Sequence, residues 1–127
     1  MSLRGGDGEP LLVIQVEGVI AGGVYYHEET EPDYRHAGVD IFLGEALQGR
    51  RLGRETLNLL IRWLIDERGH HRITIDPAAH NERAIRCYMA VGFRRVGLMR
   101  KYERGRDGTW HDGLLMDLLA EEFGRGR

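Results

Sequence analysis

One carboxylate in the sequence is placed where it could take a proton from a bound ligand. Val39, Ile41 and Leu43 alternate with Asp40 and Phe42, which is the pattern of a central strand. A carboxylate at the end of such a strand can anchor a cation and accept its proton, directly or through water. Asp40 is therefore our candidate base, and the alternative is an aspartate exposed to solvent at a sheet edge.

More acidic residues precede this strand in the segment HEETEPDYRH. Glu28, Glu29, Glu31 and Asp33 could form a negative rim that attracts a polycationic ligand. An acidic loop that is only solvated is an equally good interpretation of the same residues. The candidate substrate-binding residues are Glu28, Glu29, Asp40 and Asp76.

A loop that contains glycine and arginine follows the strand and opens a long amphipathic helix. Free N–H groups at the start of a helix point outward, and the helix dipole favours negative charge there. Three arginines add positive charge where a pyrophosphate would lie, although arginines on a first helical turn are often only solvated. An ordinary strand-to-helix turn with two glycines is the alternative. The candidate anion site comprises Gln48, Gly49, Arg50, Arg51, Leu52, Gly53 and Arg54.

Hydrophobic periodicity predicts the element order β-β-β-α-β-α-β-β. Residues 1–10 are expected to form a flexible leader, and residues 11–17 and 19–26 form the first hairpin. The first helix ends near Gly69, because glycine can adopt the left-handed cap. The remaining predicted elements are a strand at 71–76, a helix with Asn81 as N-cap that ends at Gly92, and strands at 93–102 and 110–119 flanking a turn at 104–108.

Length and composition exclude several classes of protein. The 127 residues suit one domain, placed at 11–123 with a flexible tail at 124–127. A net charge of −2 gives no general attraction to nucleic acid or to an anionic membrane. No apolar run could span a bilayer, no signal peptide is visible, and Cys87 has no partner for an intrachain disulfide. A reducing cytoplasm is therefore expected, and the six histidines lack the spacing of metal ligands.

The segment Asn81-Glu-Arg-Ala-Ile-Arg-Cys-Tyr88, followed by Gly92 and Phe93, carries a specific resemblance. With the strand, loop and helix before it, it resembles the GNAT superfamily of N-acetyltransferases over roughly residues 11–119. Residues 28–32, 39–40 and 74–88 are similar, more narrowly, to aminoglycoside 6'-N-acetyltransferases.

This resemblance implies an α+β, three-layer fold. Its mixed, mostly antiparallel sheet is splayed at the centre and flanked by helices. Members of the superfamily normally begin with a strand and two helices, and the sequence is expected to lack these. Acetyl-CoA is the implied cosubstrate, with its pyrophosphate on the main-chain amides of residues 48–54. Arg51 stands where the family pattern usually has its central glycine, which permits close backbone approach.

The resemblance also implies roles for single residues. Asn81 and Arg83 contact the coenzyme, and Tyr88 protonates the departing thiolate. The main-chain N–H groups near Phe42 and Leu43 polarise the thioester carbonyl. Without this resemblance, Tyr88 would be interpreted as a half-buried helix tyrosine.

The resulting expectation is direct transfer of acetyl to a primary amine, favouring an aminoglycoside, in a ternary complex. The alternatives are acetylation of a protein N-terminus or of a small polyamine, and a non-catalytic coenzyme A-binding module. The expected partner is a small-molecule amine. Neither nucleic acid, membrane nor metal is expected, and a homodimer is left open.

Overall fold

The computed structural model describes residues 2–5, 11–16, 19–43 and 52–124, with side chains over 22–42 and 53–124. The described elements form one sheet of seven strands in the order β1-β2-β3-β4-β5-β7-β6. The strands are β1 Ser2–Gly5, β2 Leu11–Val16, β3 Val19–Glu29, β4 His36–Leu43, β5 Arg72–Ile75, β6 Arg94–Arg104 and β7 Trp110–Leu119. The α-helices are α1 Leu52–Asp66 and α2 Glu82–Val91, and short 3-10 turns lie at Pro32–Tyr34 and Ala120–Glu122.

The sheet is mixed and mostly antiparallel, as the sequence predicted. β4 and β5 are its parallel pair, and α1 makes the crossover between them. One strand was not predicted: Ser2–Gly5 lies in the expected flexible leader, yet it pairs with β2 from Ser2↔Gln15 to Gly5↔Leu12. This corrects the expectation of a missing front strand. Four residues, the last of them a glycine, are too few to show a period-two pattern.

Helix boundaries follow the capping residues that the sequence predicted. Asn81 caps α2, since its Oδ1 accepts a hydrogen bond from the Ala84 N–H at 3.2 Å. Gly69 follows α1 with a φ of 73°, a conformation that favours glycine. Gly92 ends α2, and its N–H donates to the carbonyl oxygens of Tyr88 and Met89.

Both described helices pack on the same face of the sheet. Every second residue of the central strands points to this face, as strand geometry requires. The helix α1 contributes a leucine-rich stripe, and α2 contributes apolar residues at helical spacing. The main buried residues of this core are Val24, Val39, Leu57, Leu60, Ile61, Leu64, Ile73, Ile75, Ile85, Val91, Met116 and Leu118.

The opposite face of the sheet, which we call the open face, is solvent accessible in its centre. Tyr25 pairs with Asp40 across β3 and β4. The Tyr25 ring lies 5.8 Å from that of Phe42, and the two residues are 44% and 52% exposed. An exposed aromatic pair beside a carboxylate is therefore the main feature of this face.

The sheet parts between β4 and β5. These strands pair only at Ala37↔Ile73 and Gly38↔Thr74, whereas β3 and β4 pair over eight residue pairs, from Glu29↔His36 to Gly22↔Leu43. Beyond Gly38 the backbone of β4 has no strand partner on its β5 side within the described residues. The result is a gap in the middle of the sheet, bounded by β4 and by the end of β5.

A partly buried ion-pair cluster fixes the segment after α1 to β3. Glu28 accepts hydrogen bonds from Arg68 at 3.0 and 3.2 Å, and its Oε2 lies 2.6 Å from Nε2 of His70. Arg35 donates to the carbonyl oxygen of Gly69 at 2.9 Å. The hydrogen bonds from Arg68 and then His70 hold the pKa of Glu28 below its ordinary value, against burial, which raises it.

Replacing this carboxylate should lower stability in a pH-dependent way. We expect Glu28→Gln to lower the free energy of unfolding at pH 7 by about 1 kcal/mol, because charge-assisted hydrogen bonds to a half-exposed arginine are lost and solvent screens them. A depressed folded-state pKa stabilises the fold above the ordinary value of 4.5, and this contribution is lost as the pH falls through the folded pKa. Wild type and variant should therefore converge in urea denaturation below about pH 4.5.

Glu29, the exposed neighbour of Glu28, provides the control for this measurement. Glu29→Gln should change the free energy of unfolding by less than about 0.5 kcal/mol at either pH. A Glu28→Gln difference that is as large at pH 3.5 as at pH 7 would contradict the ionic interpretation.

Candidate active site

Three predicted site residues border the gap between β4 and β5. Asp40 lies on the β4 side, and Asp76 follows the last residue of β5. By strand alternation both belong to the open face, because Val39, Ile73 and Ile75 point into the core. Tyr88 comes from α2, on the helix face. The gap therefore connects two carboxylates on one face of the sheet with a phenol on the other.

Asp40 has the properties of a base at neutral pH. Its Oδ1 accepts a hydrogen bond from the Ile41 N–H at 2.9 Å. Desolvation by the surrounding protein is the main cause that raises the pKa of Asp40, although the residue keeps contact with solvent. The Ile41 N–H opposes this shift, and the charges of Asp76 and Glu103 add to it. A carboxylate with a raised pKa holds a proton more strongly, which suits proton acceptance.

Tyr88 has the properties of a neutral hydrogen-bond donor. The residue is 7% exposed, and its ring packs edge-on against Phe93 at 6.3 Å. Burial is the first cause that raises its pKa, followed by the charges of Asp40, Cys87 and Asp76. The phenol therefore stays protonated at neutral pH. Because a raised pKa also makes it a weaker acid, it is better suited to donate a hydrogen bond than to give up its proton fully.

Two residues near the gap were missed by the sequence reasoning. The hydroxyl of Tyr102 donates to Oδ2 of Asp76 at 2.7 Å, and the charge of Glu103 acts on Asp40. Both lie on β6, which was expected to be an ordinary strand. An irregular register between Met99 and Glu103 brings them here, and hydrophobic alternation does not encode such an irregularity.

The start of α1 lies beside α2, near the candidate donor. Arg54 is in the first turn of α1, and its charge lowers the pKa of Cys87 on α2, while burial raises that pKa by more. Gly53 is buried and Leu52 begins the helix. The other predicted loop residues, Gln48, Gly49, Arg50 and Arg51, lie outside the described residues.

Comparison with known proteins agrees with this geometry. A family model described as "Acetyltransferase (GNAT) family" matches residues 3–93. The chain belongs to this GNAT family. The match includes the gap, α1 and α2, so the resemblance noted in the sequence is confirmed.

Individual relatives are acetyltransferases and a resistance protein. The chain is 37% identical over 93 residues to "Aminoglycoside N(6')-acetyltransferase type 1" of Klebsiella pneumoniae, covering 72% of this chain and 45% of the relative. It is 40% identical over 76 residues to "Kanamycin resistance protein" of Rhizobium radiobacter, covering 59% of this chain and 68% of the relative. The chain thus spans less than half the length of the first of these relatives.

A solved structure confirms the fold. Ribosomal-protein-S5-alanine acetyltransferase from Vibrio fischeri superimposes with a TM-score of 0.81 at 26% identity, covering 89% of this chain and 62% of that one. The splayed sheet flanked by helices is therefore the GNAT fold, as predicted.

The GNAT family uses acetyl-CoA, and the described residues around the gap fit this molecule. The side-chain oxygen of Asn81 caps α2. Its side-chain N–H₂ group is therefore free to donate a hydrogen bond to the amide-rich arm of coenzyme A. Arg83 is exposed in the first turn of α2. At the gap, the main-chain groups of β4 that do not pair with β5 could form hydrogen bonds with the same arm of coenzyme A.

The two predicted carbonyl-polarising N–H groups are not equivalent. The N–H of Ile41 bonds to the carboxylate of Asp40, and the register of β3 and β4 continues without a bulge to Leu43. Since N–H groups alternate in direction along a strand, the Leu43 N–H shares the direction of the Ile41 N–H. The Phe42 N–H has the opposite direction, so Leu43 is the better candidate to face the gap.

The structure does not bring the predicted acidic rim to the gap. Glu28 points to the helix face, where it pairs with Arg68 and hydrogen-bonds to His70, whereas Asp40 is on the open face. Glu28 therefore does not border the gap, and its assignment to substrate binding stays a prediction. Glu29 is exposed on the open face but lies four residues along β3 from Tyr25, about 13 Å, and its role stays a prediction.

Two negative findings apply to the described residues. Among them, no group of three or more histidine, cysteine, aspartate and glutamate side chains could hold a metal ion. Within the same ranges, no helix has the length and apolar character needed to cross a membrane.

Cys87 should react slowly, since burial raises its thiol pKa. We expect iodoacetamide at pH 7.5 to modify it several-fold more slowly than free glutathione, and the rate to increase with pH. Mass spectrometry over time gives the rate, with Cys87→Ser as the blank. Modification as fast as that of glutathione would show an activated thiol and contradict this description of the site.

Proposed function

We propose that the chain is an acetyl-CoA-dependent N-acetyltransferase whose acceptor is a primary amine of a polycationic small molecule of the aminoglycoside class. The observation that carries this proposal is the gap between β4 and β5, with Asp40 at its open-face side and Tyr88 at its helix side. An amine and an acyl thioester could meet there from opposite faces of the sheet. The similarity to aminoglycoside 6'-N-acetyltransferases supports the acceptor class.

Each protein group has a separate task in this reaction. Bound acetyl-CoA supplies an activated acetyl thioester. Asp40 accepts a proton from the acceptor ammonium, so that the neutral nitrogen can attack the thioester carbon. The Leu43 N–H would stabilise the negative charge that develops on the carbonyl oxygen. Because the amine attacks the thioester directly, no covalent enzyme intermediate is needed. Tyr88 would donate a hydrogen bond to the sulfur as the C–S bond breaks, and the nitrogen would lose its second proton, so that coenzyme A leaves as the thiol.

Charge on the open face supports a cationic acceptor. Asp76 and Glu103 are close enough to Asp40 for their charges to raise its pKa. Asp40 and Asp76 are opposed by no ion pair with lysine or arginine among the described residues. A polycation would therefore be attracted to the mouth of the gap, while a neutral amine would gain less.

Asp40→Asn should remove the general base. We expect kcat/KM for an aminoglycoside such as kanamycin to fall by about 10²- to 10⁴-fold. In the wild type, kcat/KM should fall at acidic pH through an apparent pKa above the ordinary aspartate value of 3.8, because protonated Asp40 cannot accept the proton. Release of free thiol from acetyl-CoA, followed against pH, measures both effects.

The control is Asp33→Asn, in the exposed turn before β4, which should retain wild-type kinetics. If Asp40→Asn keeps both the rate and the acidic limb of the profile, Asp40 is not the base.

Tyr88→Phe tests the proposed hydrogen-bond donor on the helix face of the gap. We expect kcat to fall by roughly 10- to 100-fold, in the lower range for loss of one hydrogen bond to a developing charge. The KM for acetyl-CoA should change less, since the ring remains in place against Phe93. Circular dichroism confirms folding, and an unchanged kcat would remove Tyr88 from the mechanism.

A second candidate acceptor is the N-terminal amine of a protein. The open face supports it, because the exposed pair Tyr25 and Phe42 could receive an extended peptide, and the structural relative from Vibrio fischeri is named for a ribosomal protein substrate. An acceptor panel of kanamycin, tobramycin, spermidine and an alanine-terminated peptide distinguishes the two. Acetyl-CoA binding with no turnover on any acceptor would instead indicate a coenzyme-binding module.

A further inference from the structure

We propose that Tyr102 is a positioning residue for the acceptor, fixing the Asp76 carboxylate at the mouth of the gap so that it can receive a second ammonium group of a polycation. This inference rests on the proposed function and names the part of the site that recognises charge remote from the reacting amine. The inference is based on a local distortion of β6 that allows the Tyr102 side chain to reach across β7.

The distortion is a bulge in β6. Met99 pairs with Gly113, and the next pair is Glu103 with His111, so four steps along β6 match two along β7. Lys101 lies inside the bulge with a φ of 48°, a conformation that side chains other than glycine seldom adopt. Its N–H is held by Oδ1 of Asp112 at 2.8 Å, so this strained conformation is stabilised by a specific partner.

A glycine in β7 makes room for the Tyr102 ring. A Cβ added to Gly113 would lie 2.8 Å from Cδ2 of Tyr102 and 3.3 Å from Cε of Met99. Neighbouring strands are about 4.8 Å apart, and Asp76 lies beyond β7 as seen from β6. The ring must therefore pass directly over the β7 backbone to reach the carboxylate, and only glycine leaves the space.

The segment that carries Asp76 is fixed against the same part of β7. Ala78 forms an isolated bridge with Gly113. The Leu114 N–H donates to the Pro77 carbonyl at 2.9 Å, and the Ala79 N–H donates to the Asp112 carbonyl at 2.9 Å. Both ends of the Tyr102–Asp76 hydrogen bond are thus anchored to residues 112–114.

The chemistry of this bond leaves Asp76 available to a cation. A phenol is a neutral donor, so the 2.7 Å bond from Tyr102 orients Oδ2 without cancelling the carboxylate charge. Glu28 shows the contrast, because its partner Arg68 carries a positive charge. Oδ1 of Asp76 has no hydrogen bond to another described residue. It can accept an ammonium group at the edge of the gap.

Tyr102→Phe tests the bond while it preserves the ring over Gly113. We expect KM for kanamycin to rise about 10-fold, as for the loss of one hydrogen bond that orients a charged group. The kcat and the KM for acetyl-CoA should stay within about 3-fold of wild type, well below the effect of a lost catalytic group. A monoamine acceptor such as benzylamine should show no rise in KM, because it has no second ammonium.

Two further variants separate positioning from general damage. Tyr34→Phe is the matched control, since Tyr34 is 74% exposed and remote in the turn before β4, and it should leave all constants unchanged. In an Asp76→Asn background, Tyr102→Phe should have no further effect on KM for kanamycin, because the two residues act through one bond.

Binding provides a readout that does not need turnover. Calorimetric titration of kanamycin into the protein with coenzyme A present should give about 10-fold weaker binding for Tyr102→Phe. If the wild type binds kanamycin but acetylates no amine, the proposed activity fails and the titration still decides the role of Tyr102. Equal binding by wild type and Tyr102→Phe, an equal loss for benzylamine, or no binding of kanamycin by the wild type would overturn the inference.

Discussion

The candidate site depends on the early parting of β4 and β5. Two residue pairs hold these strands together, so that within the described part of the chain the end of β4 has no strand partner on its β5 side. The cost is tolerated because α1 and α2 cover the helix face with a continuous apolar core. The proposed reaction depends on that opening. If β4 and β5 paired along their whole length, the closed sheet would separate Asp40 on one face from Tyr88 on the other.

The sequence predicted the parts of the fold that obey simple periods. The alternation around Asp40 and the helical spacing after Asn81 each reflect one buried face, so both elements were placed correctly. The short strand Ser2–Gly5 has too few residues to show a pattern. The bulge at Lys101 was also invisible, because its cause is a hydrogen bond to Asp112, eleven residues away in the sequence.

The same distinction applies to the candidate site. Strand ends and a recognisable helix motif mark Asp40, Asp76 and Tyr88, and these three predicted residues border the gap. Glu28 lies away from the gap, because a run of acidic residues does not reveal which face of a strand each one occupies, and a shift of one position reverses the face. Tyr102 was missed because its contact with Asp76 crosses an intervening strand, a relation with no counterpart in local sequence.

The bulge in β6 has a consequence beyond the site. β6 is the last strand in the sheet order, so its outer N–H and C=O groups are exposed to pairing by another chain. The left-handed turn at Lys101 breaks that row of groups, and Arg94, Arg95 and Arg100 place positive charge along the remainder. The bulge that carries Tyr102 therefore also makes this edge strand a poorer template for pairing with another strand.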